Sequence, residues 1–122
     1  MKERMISFKF EKLLIWQQAM AFGEDIHKLS CRFPKEEMFN LSSQILRAAD
    51  SIALNISEGA IGQSGPEFRR FMGYSIRSMA EVVTCLYKAQ KRQYISEDEF
   101  TSLYKFAFNL MNMMVAFKSK IK

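Results

Sequence analysis

At 122 residues the chain has the size of one domain, long enough to bury a proper core. Its apolar fraction of 48% and charged fraction of 25% are those of an ordinary globular protein, and no segment approaches the roughly 18 uninterrupted apolar residues of a membrane span. The net charge of +5, from 18 basic and 13 acidic residues, permits an anionic partner such as nucleic acid without demanding one.

Eleven Phe and nine Met against five Gly and two Pro favour long helices over a turn-rich β fold. The start, MKERMISFKFEKLL, carries charges but no continuous apolar stretch or small-residue cleavage site, which predicts a cytoplasmic protein. Cys31 and Cys85 belong to no CxxC, so two buried free thiols are expected.

The first helix is predicted from about Glu11 to Arg32, with Leu13, Trp16, Met20, Gly23, Ile26, Leu29 and Phe33 at helical spacing. Pro34 ends it, because proline disfavours helical geometry in the residue before it. Phe8 and Phe10 precede it as an ordered arm across the bundle.

The second helix spans about Glu37 to Ile61 and is the most hydrophobic. Leu41, Ile45, Ala48, Ile52 and Ile56 form its core stripe. A line of polar residues borders that stripe: Gln44, Arg47, Ser51, Asn55 and Glu58 fall in one narrow sector at about 100° per residue. Leu54, Ile61 and Leu46 lie beyond it, so the helix is expected to bury two surfaces. Arg47 and Glu58 are about 16 Å apart at about 1.5 Å per residue and cannot pair with each other. The third helix offers Arg77, Ser78 and Glu81, so Glu58 with Arg77 and Arg47 with Glu81 are the expected pairs, within a subunit or across an interface.

Gly59, Gly62 and Gly65 turn the chain, and Ser64-Gly65-Pro66-Glu67 reads as a capping box. The third helix runs from 65 to about Arg92, with Phe68, Phe71, Ser75, Ser78, Val82, Leu86 and Ala89 inward. Ser96-Glu97-Asp98-Glu99 is a second capping box, opening a fourth helix to about Lys120. That helix carries two apolar stripes: Phe100, Leu103, Ala107, Leu110, Met114 and Phe117, then Tyr104, Phe108, Met111 and Val115. The fold expected is all-α, an antiparallel up-down-up-down four-helix bundle in one domain over residues 1–122. Helices two and four have more apolar surface than one such core can use, and such a surplus predicts self-association.

The chain is poor in reaction chemistry. Glu24 and His27 form one Glu-x-x-His, but a carboxylate di-metal bundle needs two and a zinc site needs more ligands, so no metal or cofactor is expected. A cysteine or serine nucleophile wants a positioned base, and the sole histidine lies far from Cys85. The glycines between helices two and three lack the Lys-Ser/Thr and preceding strand of a phosphate loop. No enzyme is expected. Basic residues gather as Arg69 and Arg70, as Lys88, Lys91 and Arg92, and as Lys118, Lys120 and Lys122. In an antiparallel bundle these make two zones, read either as solvated charge or as phosphate contacts.

Several segments in order resemble one known family: Leu13-x-x-Trp16-Gln17-x-Ala19, Phe33-Pro34-Lys35-Glu36-Glu37, Gln44-x-x-Arg47-Ala48-Ala49-x-Ser51-Ile52, Asn55-Ile56-x-Glu58-Gly59, Glu67-Phe68-x-x-Phe71 and Ser78-x-x-Glu81. They are similar to the four-helix-bundle proteins encoded in intervening sequences of bacterial 23S rRNA genes, from about Phe8 to Phe117. The resemblance implies a homopentameric barrel without established enzyme activity. It also implies kinship to the accessory protein of diversity-generating retroelements, a basic pentamer that associates with nucleic acid and a reverse transcriptase. Arg77 stands where family members often have Gly. Two functions follow as expectations: an RNA-associated homo-oligomeric scaffold or adaptor, or a protein assembly module with no nucleic-acid role.

Overall fold

The computed structural model describes residues 6–122; residues 1–5, the charged start of the chain, lie outside the described residues. Four helices make up the fold: α1 (Leu14–Ser30), α2 (Leu41–Ile61), α3 (Gly65–Lys91) and α4 (Glu97–Lys120). Among the described residues there is no strand, and no helix is long and apolar enough to cross a membrane.

The N-terminal boundaries of the first two helices differ from those expected, each for a local reason. Lys9–Lys12 winds into a 3-10 turn, in which the Glu11 carboxylate accepts the Phe8 N–H at 3.0 Å. Leu13 is then extended (φ −75°, ψ 124°), so α1 begins at Leu14. The arm is ordered as expected: the turn packs on α1 and α2, and Phe10 meets Trp16 edge-on at 5.2 Å, while Phe8 stays exposed. After Pro34, residues Lys35–Glu37 form a second 3-10 turn. Glu37 is therefore not the first residue of α2. Its carboxylate folds back to accept the Leu41 N–H at 3.3 Å, taking one of the free donors of the helix start.

The later caps follow the sequence closely. Ser64 Oγ accepts the Glu67 N–H at 3.2 Å, although the Glu67 carboxylate reaches the Gln63 N–H instead of completing a box on Ser64. The box at α4 is complete: Ser96 Oγ accepts the Glu99 N–H, and the Glu99 carboxylate accepts the Ser96 N–H, both at 3.1 Å. At the end of α3, Gln93 turns left-handed (φ 63°), while Gln93 and Tyr94 donate to the carbonyls of Gln90 and Ala89, both at 2.9 Å. This is a Schellman ending with glutamine where glycine is usual.

Bonds between helices give their directions. The C-terminal end of α1 meets the start of α4 through Arg32 and Glu99, and the end of α3 meets the start of α2 through Arg92 and Glu37 at 3.0 Å. At the opposite end, Arg69 Nη1 on α3 donates to the Ile121 carbonyl just beyond α4 at 2.9 Å. Neighbouring helices are thus antiparallel, and the packing runs α1 on α2, α2 on α3, α3 on α4 and α4 back on α1, with α2 against α3 the most extensive seam.

The core stripe expected on α2 is buried throughout, at Leu41, Ile45, Ala48, Ile52 and Ile56. Each large side chain buried in this way contributes roughly 1.5–3 kcal/mol. On α1 the buried face is rotated from the one expected. Ile15, Ala19 and Phe22 are inside with Ile26 and Leu29, whereas Met20 is exposed and Leu13 and Trp16 lie at the edge. The cause is that α1 must serve two neighbours, and Phe22 stacks on Phe106 of α4 with ring centroids 5.5 Å apart. Cys85 is buried as expected; Cys31 is not, because its helix ends there and it faces outward.

Candidate functional site: the polar stripe and the bundle ends

The polar line on α2 divides into two kinds of residue. Its middle is a seam with α3. Ser51 Oγ donates to the Ala48 carbonyl at 2.9 Å and shares a hydrogen bond with the Ser78 hydroxyl across the seam. Asn55 Nδ2 donates to the Ser51 carbonyl at 2.8 Å, and the fully buried Ser75 hydroxyl donates to the Ile52 carbonyl at 2.9 Å. These small polar groups satisfy one another and hold the register of α2 on α3.

The ends of the line behave otherwise. Gln44 is half-buried and reaches only Asn40 Oδ1, at 3.4 Å, while Arg47 and Glu58 are exposed, as are Arg77 and Glu81 on α3. Neither expected pair forms within the chain: the ion pairs among the described residues are Arg32–Glu99, Arg70–Glu67 and Arg92–Glu37. Hydrated charges need no counter-ion, so the second buried surface expected on α2 does not exist within the subunit. Leu54 and Ile61 beyond the stripe are exposed too.

A cluster that the sequence pattern did not reveal closes the other end of the bundle. Glu37, only 7% exposed, accepts from Tyr94 Oη at 2.7 Å, Arg92 Nη1 at 3.0 Å and Asn40 Nδ2 at 3.0 Å, besides Leu41. The Tyr94 hydrogen bond, followed by the Leu41 amide and the Arg92 charge, holds the Glu37 carboxyl below the usual glutamate range against the opposing effect of burial. The same bond pushes the Tyr94 phenol up. The available signal was Glu37 itself, an acid between Pro34 and the apolar run; its partners lie 55 and 57 residues away, beyond any periodicity.

The basic residues divide between the two ends. Arg69 is engaged with the Ile121 carbonyl, and Arg70 pairs with Glu67 at 3.9 Å while lying 5.7 Å from the Phe71 ring centroid. Lys120 and Lys122 are exposed at that same end, with Lys118 half-buried. At the other end Arg92 is tied to Glu37, and Lys88 and Lys91 are exposed on the last turns of α3, which the acids Glu97, Asp98 and Glu99 follow in the chain.

A cleft of about 590 Å³ beside α1 and α2 is lined by His27, Cys31, Phe39 and Ser42, among others. His27 and Cys31, four residues apart, both line it, with no hydrogen bond between their side chains. Among the described residues no group of three or more His, Cys, Asp or Glu side chains could hold a metal ion.

Fold and surfaces together define an antiparallel four-helix bundle with a hydrogen-bonded polar seam between α2 and α3. The chain belongs to the 23S rRNA-intervening sequence protein family, whose model matches residues 11–116. A crystal structure of a protein with unknown function from the S23 ribosomal protein family of Bacteroides thetaiotaomicron is similar in fold, with a TM-score of 0.82 and 21% sequence identity over 93% of this chain and 100% of that one. Comparison with curated proteins finds no match.

Proposed function

We propose that this protein is a non-enzymatic subunit of a homo-oligomeric helical scaffold, assembled as the homopentamer that the family resemblance implies. One observation carries the reading. With the four-helix core closed, large apolar side chains remain outside it, among them Leu54 and Ile61 on α2, 59% and 64% exposed, and Phe108 and Val115 on α4, 57% and 49% exposed. Covering such surface is favourable by about 25 cal/mol per Å². Sedimentation of the purified chain at micromolar concentration tests this directly: a closed oligomer is expected, and a clean monomer would overturn it.

A second element of the reading is contact with RNA through the end of the bundle that bears Arg70, Lys118, Lys120 and Lys122. Cations concentrated at one end would become a basic rim once subunits repeat around a symmetry axis. The competing reading, an assembly module without a nucleic-acid role, predicts no salt-dependent RNA binding.

A further inference from the structure

Resting on the self-assembly reading above, we infer that subunits join head to tail: the aromatic ridge of the α3–α4 seam docks into the groove of the α1–α2 seam on a second copy of this chain. The cyclic order of packing places these two seams on opposite sides of the bundle. They also differ in shape. On α4, Tyr104, Phe108, Met111 and Val115 recur at spacings of four, three and four, and so project as one line. The rings of that line stack on one another and on Phe100, which itself packs against the core: Phe100 on Tyr104 at 5.7 Å and Tyr104 on Phe108 at 6.4 Å, with Tyr87 of α3 against Phe100 at 4.9 Å. A supported row of rings offers large apolar area at low entropic cost.

The opposite seam is hollow because its residues are small. Ala19 and Gly23 of α1 face Ala49 and Ala53 of α2, and a methyl group built on Gly23 would have no neighbour nearer than 3.9 Å. The result is a groove of about 410 Å³ with Trp16, Met20 and Leu54 as its apolar walls.

Charge decides between the ways two copies can meet. The groove is lined by Glu24 and Asp50 and by no basic residue, and neither carboxylate has an ion-pair or hydrogen-bond partner among the described residues. Beside the ridge stand exposed Lys105 on α4 and Arg77 and Lys91 on α3, against the exposed acids Glu97 at the start of α4 and Glu81 on α3, so that its cations outnumber its carboxylates. A two-fold contact of ridge on ridge would oppose like cations, and groove on groove would oppose like carboxylates. Ridge into groove brings opposite charges together. Such a contact uses both seams of every subunit, so it repeats until the rotation per step closes a ring.

Crosslinking tests the arrangement. Leu54→Cys and Phe108→Cys are made singly and together in a Cys31→Ser background, since Cys31 is the exposed native thiol and Cys85 is buried. Both positions are exposed, and they sit on opposite seams, so no bond can close within one chain. On mild oxidation the double variant is expected to give a ladder of linked chains, while each single variant gives none. Linked dimers from either single variant would replace this contact with a two-fold one. No ladder from the double variant, with the wild-type chain still oligomeric in sedimentation, would overturn the ridge-in-groove contact and leave self-assembly standing. A wild-type monomer would overturn both.

Discussion

The Tyr94 hydroxyl, in the connection between α3 and α4, donates a 2.7 Å hydrogen bond to Glu37 just before α2, and so fastens two loops at one end of the bundle. The Glu37 carboxyl is held below its usual value of 4.5, so its contribution to stability is present above the unfolded value and lost as pH falls through the folded one. Glu99 shifts in the same direction, first through the Ser96 amide and then through Arg32. Melting temperature is therefore expected to fall steeply on acidification below about pH 4.5. Tyr94→Phe should lower it at neutral pH and make that acid limb shallower. An acid limb identical to wild type would show that the bond contributes nothing. Tyr94 has the opposite sign: its pKa is raised, so its contribution is present below its usual value of 10.0 and lost as pH rises through the folded one.

Gly59, near the end of α2, faces Phe71 and Phe68 of α3. A Cβ there would lie 2.7 Å from Phe71 Cβ, an atom fixed to the backbone, and 2.9 Å from Phe68 Cδ1. Helix propensity favours alanine by about 0.8–1.0 kcal/mol. Overpacking costs typically about 1–3 kcal/mol, and here the helices themselves must separate. Gly59→Ala is expected to lower the melting temperature, and a rise would mean that the seam yields more readily than its geometry implies.

Gln93 lies in the left-handed region, at φ 63°, as the residue that ends α3. A side chain there costs on the order of 1–2 kcal/mol, partly offset by the greater chain entropy that glycine loses on folding. Gln93→Gly should stabilise the protein by about 0.5–1 kcal/mol in denaturant unfolding.

Arg47 is exposed and has no ion-pair partner among the described residues. Arg47→Ala should leave the stability of the isolated subunit within about 0.5 kcal/mol of wild type. A shift in oligomer state or in melting cooperativity would then report a contact made in another subunit, whereas Lys12→Ala, at another exposed position, should change neither. If the two variants assemble alike, the stripe has no part in the interface.

For RNA, fluorescence titration with a structured RNA at two salt concentrations is the measurement. Affinity should fall with salt, and replacing Lys118, Lys120 and Lys122 together by alanine should make the salt dependence shallower, by roughly 0.7–0.9 in slope for each phosphate no longer neutralised. Absent or salt-independent binding would favour the pure assembly module.

Much of the fold was legible in the sequence because its signals are local. Ser64 and Ser96 do cap their helices, and Leu41 to Ile56 do face the core, since a hydrogen bond three residues away and a 3.6-residue period are written in neighbouring positions. The surplus of apolar surface on α2 and α4 was legible for the same reason. The errors arose where a residue answers to something distant. Glu37 leaves its expected helix to meet Arg92 and Tyr94, and the buried face of α1 turns toward Phe106 on α4.

The polar line on α2 shows the division most clearly. Sequence by itself determined that Gln44, Arg47, Ser51, Asn55 and Glu58 share one side of a helix, because helical periodicity depends on nothing beyond the order of residues. Only the tertiary structure decided which of them are enclosed. Helix α3 approaches closely where Ser51 meets Ser78 and where Ser75 reaches the Ile52 carbonyl, while Arg47 and Glu58 remain in water. That choice depends on how two helices lie against each other, a relationship between residues about 25 positions apart that no local pattern encodes.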